Sequence, residues 1–322
     1  MDKNVLKIKQ NYPLEFKVEM TKRRIENFVR WVGLDNAYIA FSGGKDSTVL
    51  LHIARQLYPN IKAVFSNTGL EFPEIVKFAM SQENVEMIRP KKGFSQVIKE
   101  DGYPMISKKV SNAVRLAKQN IKDGKLDTFR VKQLTVGLEG SKFNMKKWGF
   151  LLDAPFEVTE KCCYYLKKEP LKRYEKETGR KPVVATMAQE SLQRESSYLK
   201  TNCNSYNEGS EMSRPMSFWT EQDILMYLAR FKVPYCSIYG KIKADIVDDD
   251  GDIGWHWHYY TTGEKRTGCI FCGFGVHLEK GKNRYQRLEQ THPKLHDYCM
   301  NKLGFKDVCE YLNIPYKNEE GE

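Results

Sequence analysis

The sequence predicts an α/β fold, a parallel twisted sheet with helices on both faces, and three observations carry that prediction. Helix-period and strand-period stretches alternate from Glu15 to Ile88. The strand stretches are short apolar runs, as strands covered on both sides require. Turn residues divide them, with a Gly-Gly pair at the first strand-to-helix step.

Each element follows from its residues. From Glu15 to Val32, Phe16, Met20, Ile25, Phe28, Val29 and Val32 recur at helical spacing and lead into Asn36–Phe41, which reads as a buried strand. After the glycines, Val49, Leu50, Ile53, Ala54 and Leu57 mark a helix ending near Tyr58-Pro59, and Ile61–Phe65 reads as a second strand. A helix after Pro73 and a strand over Val85–Ile88 make a third unit of the same kind. Asp101-Gly-Tyr-Pro104 is a turn, and a largely helical insertion follows over about 105–150, broken by glycines at 124, 137, 140 and 149. Helix returns over Glu160–Thr178 and strand over Val183–Thr186. A boundary is expected near Arg214-Pro215. Beyond it come a helix over Thr220–Phe231, a hairpin turning at Asp249–Asp252, a cysteine-containing loop and the last helices. The expected division is an N-terminal helical segment at 1–35, an α/β domain at 36–214 and a helical and hairpin region at 215–322.

The chain has 322 residues, 41% hydrophobic and 29% charged, enough to bury a sizeable core and ordinary for a folded protein. No run approaches the roughly 20 apolar residues of a membrane span, and MDKNVLKIKQ lacks the apolar core of a signal peptide, so a cytoplasmic protein without a membrane partner is expected. The net charge of +11 is concentrated: Lys108 to Lys147 holds eleven Lys or Arg against three acids. That segment reads either as a solvated helical face or as a contact surface for a polyanion such as nucleic acid.

Ser42-Gly43-Gly44-Lys45-Asp46-Ser47 stands where a strand gives way to a helix. Glycines let a backbone approach phosphate there, and free amides at a helix start face the anion. The spacing is not that of the Walker loop. The hexapeptide resembles the PP-loop of the ATP pyrophosphatase superfamily, whose members split ATP between the α- and β-phosphates. Ser66-Asn67-Thr68-Gly69-Leu70-Glu71-Phe72-Pro73-Glu74, Glu190-Ser191-Leu192-Gln193-Arg194, and Trp219-Thr220-Glu221-Gln222-Asp223-Ile224 with Val233-Pro234-Tyr235 resemble, in order, elements of the phosphoadenosine phosphosulfate (PAPS) reductase family. The resemblance implies an adenine nucleotide alpha hydrolase-like, Rossmann-like fold with a C-terminal cysteine-containing segment. It also implies ATP or an adenylyl sulfate as ligand, held by Ser42, Gly43, Gly44, Lys45, Asp46, Ser47, Thr68, Gly69, Glu71, Glu190 and Arg194. Lys45 would offset developing negative charge and Arg194 would grip anionic oxygens. Asp46 would either orient a metal ion such as Mg2+ or cap the following helix.

Eight cysteines in a chain of this length read as metal ligands or redox groups rather than disulfides. Cys162-Cys163 and Cys269-x-x-Cys272 supply four thiolates, a set that suits zinc or an iron-sulfur centre. Adenylyl-sulfate reductases carry a tandem Cys-Cys and a distant Cys-x-x-Cys, and by that resemblance these four would bind a [4Fe-4S] cluster near the nucleotide. Adjacent cysteines on one helix point about 100° apart, so both reach one cluster only with local distortion. Cys203 is a substitute ligand; Cys236, Cys299 and Cys309 read as buried. His256 and His258 share one face of a strand and read as solvated or as metal ligands, while the acidic run at 248–252 reads as a hairpin turn.

Three functions remain open. The intact Lys45 favours ATP-dependent adenylylation of an acceptor coupled to sulfur transfer, with a thiol or sulfur donor protein as partner. The family resemblance equally implies assimilatory reduction of adenylyl sulfate to sulfite. Tyr311–Glu322, however, carries no Glu-Cys-Gly-Ile/Leu-His segment. The third reading is a nucleotide- or nucleic-acid-binding accessory protein without turnover.

Overall fold

The computed structural model describes residues 2–249 and 254–318. Its strands, in chain order, are β1 (Ala37–Phe41), β2 (Ala63–Ser66), β3 (Val85–Ile88), β4 (Met105–Ile106), β5 (Lys181–Val184), β6 (Asn204–Ser205), β7 (Met212–Ser213), β8 (Ile242–Asp249), β9 (Gly254–Thr261) and β10 (Gly273–Phe274). The chain divides into two compact units. One holds 1–67, 71–89 and 170–267; the other holds 68–70, 90–169 and 268–322. Arg214-Pro215 lies inside the first unit.

The first unit is built on a six-stranded sheet in the order β3-β2-β1-β5-β7-β6. All neighbours are parallel except the β7–β6 edge, where Asn204 pairs with Ser213 and Ser205 with Met212. β1 is central because its apolar run tolerates cover on both faces: Ala37, Tyr38, Ile39 and Phe41 are all buried. Tyr38 packs edge-on against Tyr174 of the Glu169–Thr178 helix at 5.2 Å, and its hydroxyl donates to Glu175 at 2.8 Å. Phe41, three residues on and so facing the other way, meets Phe78 of the Pro73–Met80 helix at 6.4 Å. Helices therefore cover both faces. Connections run from β1 to one side and return to β5 on the other, which makes the carboxyl end of β1 a topological switch point, where open α/β sheets bind ligands.

The helix predicted from Glu15 spans Leu14–Val32, and the one after the glycines spans Lys45–Leu57. β5 is displaced by two residues from the stretch read from apolar content, and β2 starts two residues later and ends one later, since pairing with β1 begins at Lys181 and Ala63 sits opposite Ile39. β8 and β9 form an antiparallel ribbon from Ile242↔Thr261 to Asp249↔Gly254; the turn at 250–253 lies outside the described residues.

The second unit is mainly helical. The basic insertion forms helices at Lys108–Lys122 and Phe129–Leu134 and a 3-10 stretch at Lys146–Leu152. Ser107 and Thr128 cap the two helices by accepting the Val110 and Val131 N–H groups. Val110, Ala113, Val114 and Ala117 turn inward with Val131, Leu134 and Leu151. β4 pairs with β10 in parallel. Among the described residues no helix is long and apolar enough to cross a membrane.

Candidate nucleotide loop and cysteine pocket

The loop at the end of β1 is held by its own hydroxyls and by a side chain from far along the chain. Gly43 adopts φ +71°, and a Cβ there would stand 2.9 Å from Ile75 Cγ2. Only glycine suits both demands. Ser47 Oγ accepts the Ser42 N–H at 3.2 Å and donates to the Gly44 carbonyl at 2.9 Å, while Ser42 Oγ accepts the Gly44 N–H at 3.3 Å. Gly44 is the N-cap of the Lys45–Leu57 helix and has no side chain to cap it. Asp46 therefore sits in its first turn without capping it.

Lys45 is buried; its ammonium donates to the Lys265 carbonyl at 2.8 Å and pairs with Glu221 at 3.1 Å. Its N–H donates to the Tyr239 hydroxyl at 3.2 Å, and that hydroxyl also bonds Thr267 Oγ1 at 2.6 Å. Burial pushes the Tyr239 phenol up to about 12. Glu190 accepts the Met187 N–H at 2.9 Å, pairs with Arg194 and lies 3.7 Å from Arg266. Arg194 is held below the usual guanidinium range, first by burial and then by Arg266.

Asp46 is partly exposed as a residue, yet its Oδ1 is closed off and has no hydrogen-bond partner. Burial raises its carboxyl above the ordinary range, against the pull of Lys45, Arg266 and Arg194 and with a push from Glu221. A shielded, partnerless carboxylate oxygen beside a phosphate-type loop fits a cation arriving with a nucleotide.

Of the residues expected to hold nucleotide, the fold brings Ser42, Gly43, Gly44, Lys45, Asp46, Ser47, Glu190 and Arg194 into this one region of the first unit. Thr68 and Gly69 group with the second unit, where Thr68 is buried and accepts the Leu70 N–H at 3.2 Å and Gly69 has φ +76°. Glu71 returns to the first unit. Sequence reasoning missed Tyr239, Lys265, Arg266 and Thr267. Glu221 lay inside a quoted motif but had no assigned role. Lys265-Arg266-Thr267 stands directly before the Cys-x-x-Cys segment, a usable signal; Tyr239 had none.

In the second unit Cys162, Cys163, Cys269 and Cys272 line one pocket, with apolar walls of Leu70, Phe94, Pro104 and Leu166 and with Lys167 as its charged residue. Both cysteine segments are pinned from outside. Glu160 takes Arg115 and Asn112, and Lys161 takes Asp101 at 2.7 Å, just before the tandem pair. Immediately after it, Tyr164–Lys168 widens into a π-helical turn, a local distortion of the helix that carries the pair. On the other side the Ile270 N–H donates to the Leu70 carbonyl at 2.9 Å, and Arg284 donates to the Cys272 carbonyl at 2.9 Å. Gly273 pairs with Met105 so closely that a Cβ would stand 2.1 Å from Met105 Sδ.

All eight cysteines are free thiols. Cys163 is the acidic member of the tandem, drawn down to about 6 by the hydrogen bond from Cys162 and by Lys108 and Lys167, against burial. Cys162 is pushed up by that same bond and by burial, and burial also raises Cys272. Four thiol groups converging on an apolar pocket suit a thiolate-ligated centre larger than one ion. Among the described residues no three His, Cys, Asp or Glu converge tightly enough to hold a single metal ion. Cys236, Cys299 and Cys309 are buried, and Cys203 is buried in the first unit with its thiol pushed up to about 11. His256 and His258 stand on β9 opposite Val247 and Asp245.

Among solved structures the chain is similar to a phosphoadenylyl-sulfate (PAPS) reductase from Candida auris in its phosphate complex. That match has 16% identity over 66% of this chain and 82% of the other, with TM-score 0.37. It is also similar to the U34-tRNA thiolase NcsA from Methanococcus maripaludis with its [4Fe-4S] cluster, at 14% identity over 94% of this chain and 81% of that one, with TM-score 0.38. No curated protein matches the chain. Nothing about its chemistry rests on these structural likenesses. The family is a different matter: residues 36–137 and 127–273 match the phosphoadenosine phosphosulfate reductase domain, a span that takes in the glycine loop, Glu190 and Arg194, and all four pocket cysteines, and the chain belongs to that family.

Proposed function

We propose that the chain binds ATP at Ser42–Ser47, cleaves it between the α- and β-phosphates and adenylylates an acceptor oxygen, so that a sulfur nucleophile from a donor can attack the carbon bearing it while AMP leaves with that oxygen. The observation that carries this reading is the partnerless Asp46 Oδ1 beside Lys45 in the first turn of the helix that follows the glycine loop. An acceptor oxygen attacks the α-phosphorus, the bond from that phosphorus to the bridging oxygen breaks, and pyrophosphate leaves. Charge builds on the departing oxygens, and Lys45 would offset it. Arg194 and Arg266, both paired with Glu190, would exchange that carboxylate for phosphate oxygens. Asp46 would hold Mg2+ delivered with the nucleotide. Cys162, Cys163, Cys269 and Cys272 would hold a [4Fe-4S] cluster, which when bound supplies a site for sulfur or electron chemistry. The test is release of labelled pyrophosphate from ATP by anaerobically prepared protein offered nucleic-acid acceptors; no release by protein replete in iron and sulfide overturns the reading.

Family membership favours a second reading, reduction of adenylyl sulfate or its 3′-phosphorylated form to sulfite with a thiol donor. Growth of a sulfite-restorable cysteine auxotroph on sulfate would support it, and failure by a well-expressed protein would exclude it.

A further inference from the structure

The basic segment of the second unit carries two exposed aromatic rings set among cations. Phe129 and Phe143 are 51% and 44% exposed and meet edge to face at 6.4 Å. Lys109 Nζ stands 4.9 Å and Lys142 Nζ 5.6 Å over the Phe143 ring, and the Arg130 guanidinium lies 5.7 Å over Phe129. The arrangement is preformed. Gln133, buried, donates to the Phe143 carbonyl at 3.5 Å, and its own carbonyl accepts the Met145 N–H at 3.0 Å, so the strap carrying Phe143 is tied to the Phe129–Leu134 helix.

The charge around the rings is not spent within the fold. Arg115 and Lys118 are taken by Glu160 and Glu157, and Lys125 and Lys132 by Asp123 and Asp127. Lys109, Lys122, Arg130, Lys142, Lys146 and Lys147 have no carboxylate partner among the described residues. Cations gathered without counter-charge repel one another, and exposed phenylalanines lose nothing to water when a flat apolar partner covers them. A polyanion with unpaired planar groups relieves both. A bilayer does not match as well, because Val110, Ala113, Val114 and Ala117 of the Lys108–Lys122 helix face the interior and Ile121 alone of its large apolar residues is exposed, too little for an apolar face to insert.

We propose that this surface binds an unpaired nucleic-acid strand, with bases stacking on Phe129 and Phe143 and phosphates on Lys109, Arg130 and Lys142. In naming nucleic acid as a candidate acceptor for the adenylylation proposed above, the inference rests on that reading. Binding is read with no ATP present, so failure to bind a strand and failure to release pyrophosphate are separate results.

The test is fluorescence anisotropy of the full chain with fluorescein-labelled RNA and DNA single strands of about 12 nucleotides, each beside its own duplex, across a KCl series. The single strand should bind at least about tenfold more tightly than its duplex, and the tighter of the RNA and DNA arms identifies the source. Phe129→Ala with Phe143→Ala should weaken binding about tenfold or more while leaving the salt slope in place. Lys109→Ala and Lys142→Ala should each flatten that slope by about one, and Phe143→Trp should restore or tighten binding. Equal affinity for strand and duplex, an unchanged affinity in the double Phe variant at full thermal stability, or binding confined to anionic vesicles overturns the proposal.

Discussion

The Tyr239 hydroxyl accepts the backbone N–H of Lys45 at 3.2 Å, tying the start of the phosphate-loop helix to a residue 194 positions away. Tyr239→Phe leaves that buried N–H and the Thr267 hydroxyl without their partner, at a cost of about 1–3 kcal/mol, read as a drop in Tm. The phenol also has a pH signature. Burial holds it at about 12 against an ordinary 10.0, so the folded chain keeps a proton that the unfolded chain releases. Its contribution to stability is fully present below pH 10 and is lost as pH rises toward 12. Tyr239→Phe should remove that share of the alkaline loss, measured as Tm against pH.

Lys45→Ala removes the ammonium that bridges the Lys265 carbonyl and Glu221. Pyrophosphate release should fall by about 10²–10³. Lys45→Arg should not restore it, because a planar fork does not replace a compact point charge at a buried site.

Asp46→Asn should separate stability from function. The Asp46 carboxyl is raised, so the folded state favours its protonated form; the stability this contributes is complete below the unfolded carboxylate range and is lost as pH rises through the folded value. An amide carries no such loss, so the variant should melt higher than the parent at neutral pH while Mg2+-dependent ATP binding disappears. Thermal scans at acidic and neutral pH, with calorimetric titration of Mg-ATP, check both halves; an unchanged Mg-ATP affinity would remove Asp46 from the cation role.

Gly43→Ala places a Cβ at φ +71° and 2.9 Å from Ile75 Cγ2. Strain and overlap together should cost more than about 1 kcal/mol and weaken ATP binding, read by chemical denaturation and by titration.

Cys163→Ser or Cys272→Ser should abolish bound iron and sulfide and the accompanying visible absorption, whereas Cys309→Ser, changing a buried thiol outside the pocket, should keep them. Metal analysis of anaerobically purified protein distinguishes the alternatives: zinc with no sulfide would identify a tetrathiolate ion site instead.

The central sheet was legible because β1, β2 and β3 are short, mainly apolar and bounded by turn residues, and the helices between them keep a 3.6-residue period. The ends of β5 were not, since strand limits are decided by pairing with β1 rather than by apolar content. Ser42–Ser47 and the cysteine pairs announced themselves because backbone approach to phosphate and thiolate ligation each demand particular residue types. Tyr239 did not. A tyrosine acting through one hydroxyl on a distant N–H leaves no local pattern.

The sequence by itself determined the α/β class, the position of the phosphate-type loop and the identity of the four cysteines, all of which depend on residue type and short-range spacing. Only the tertiary structure decided that Tyr239, Glu221 and Lys265 would grip Lys45, that Asp46 would be left with a shielded oxygen, and that two cysteine pairs more than a hundred residues apart would line one pocket. The physical reason is that hydrogen bonding, burial and ligand convergence are properties of distance in space, and these contacts join residues whose separation along the chain carries no periodic signal.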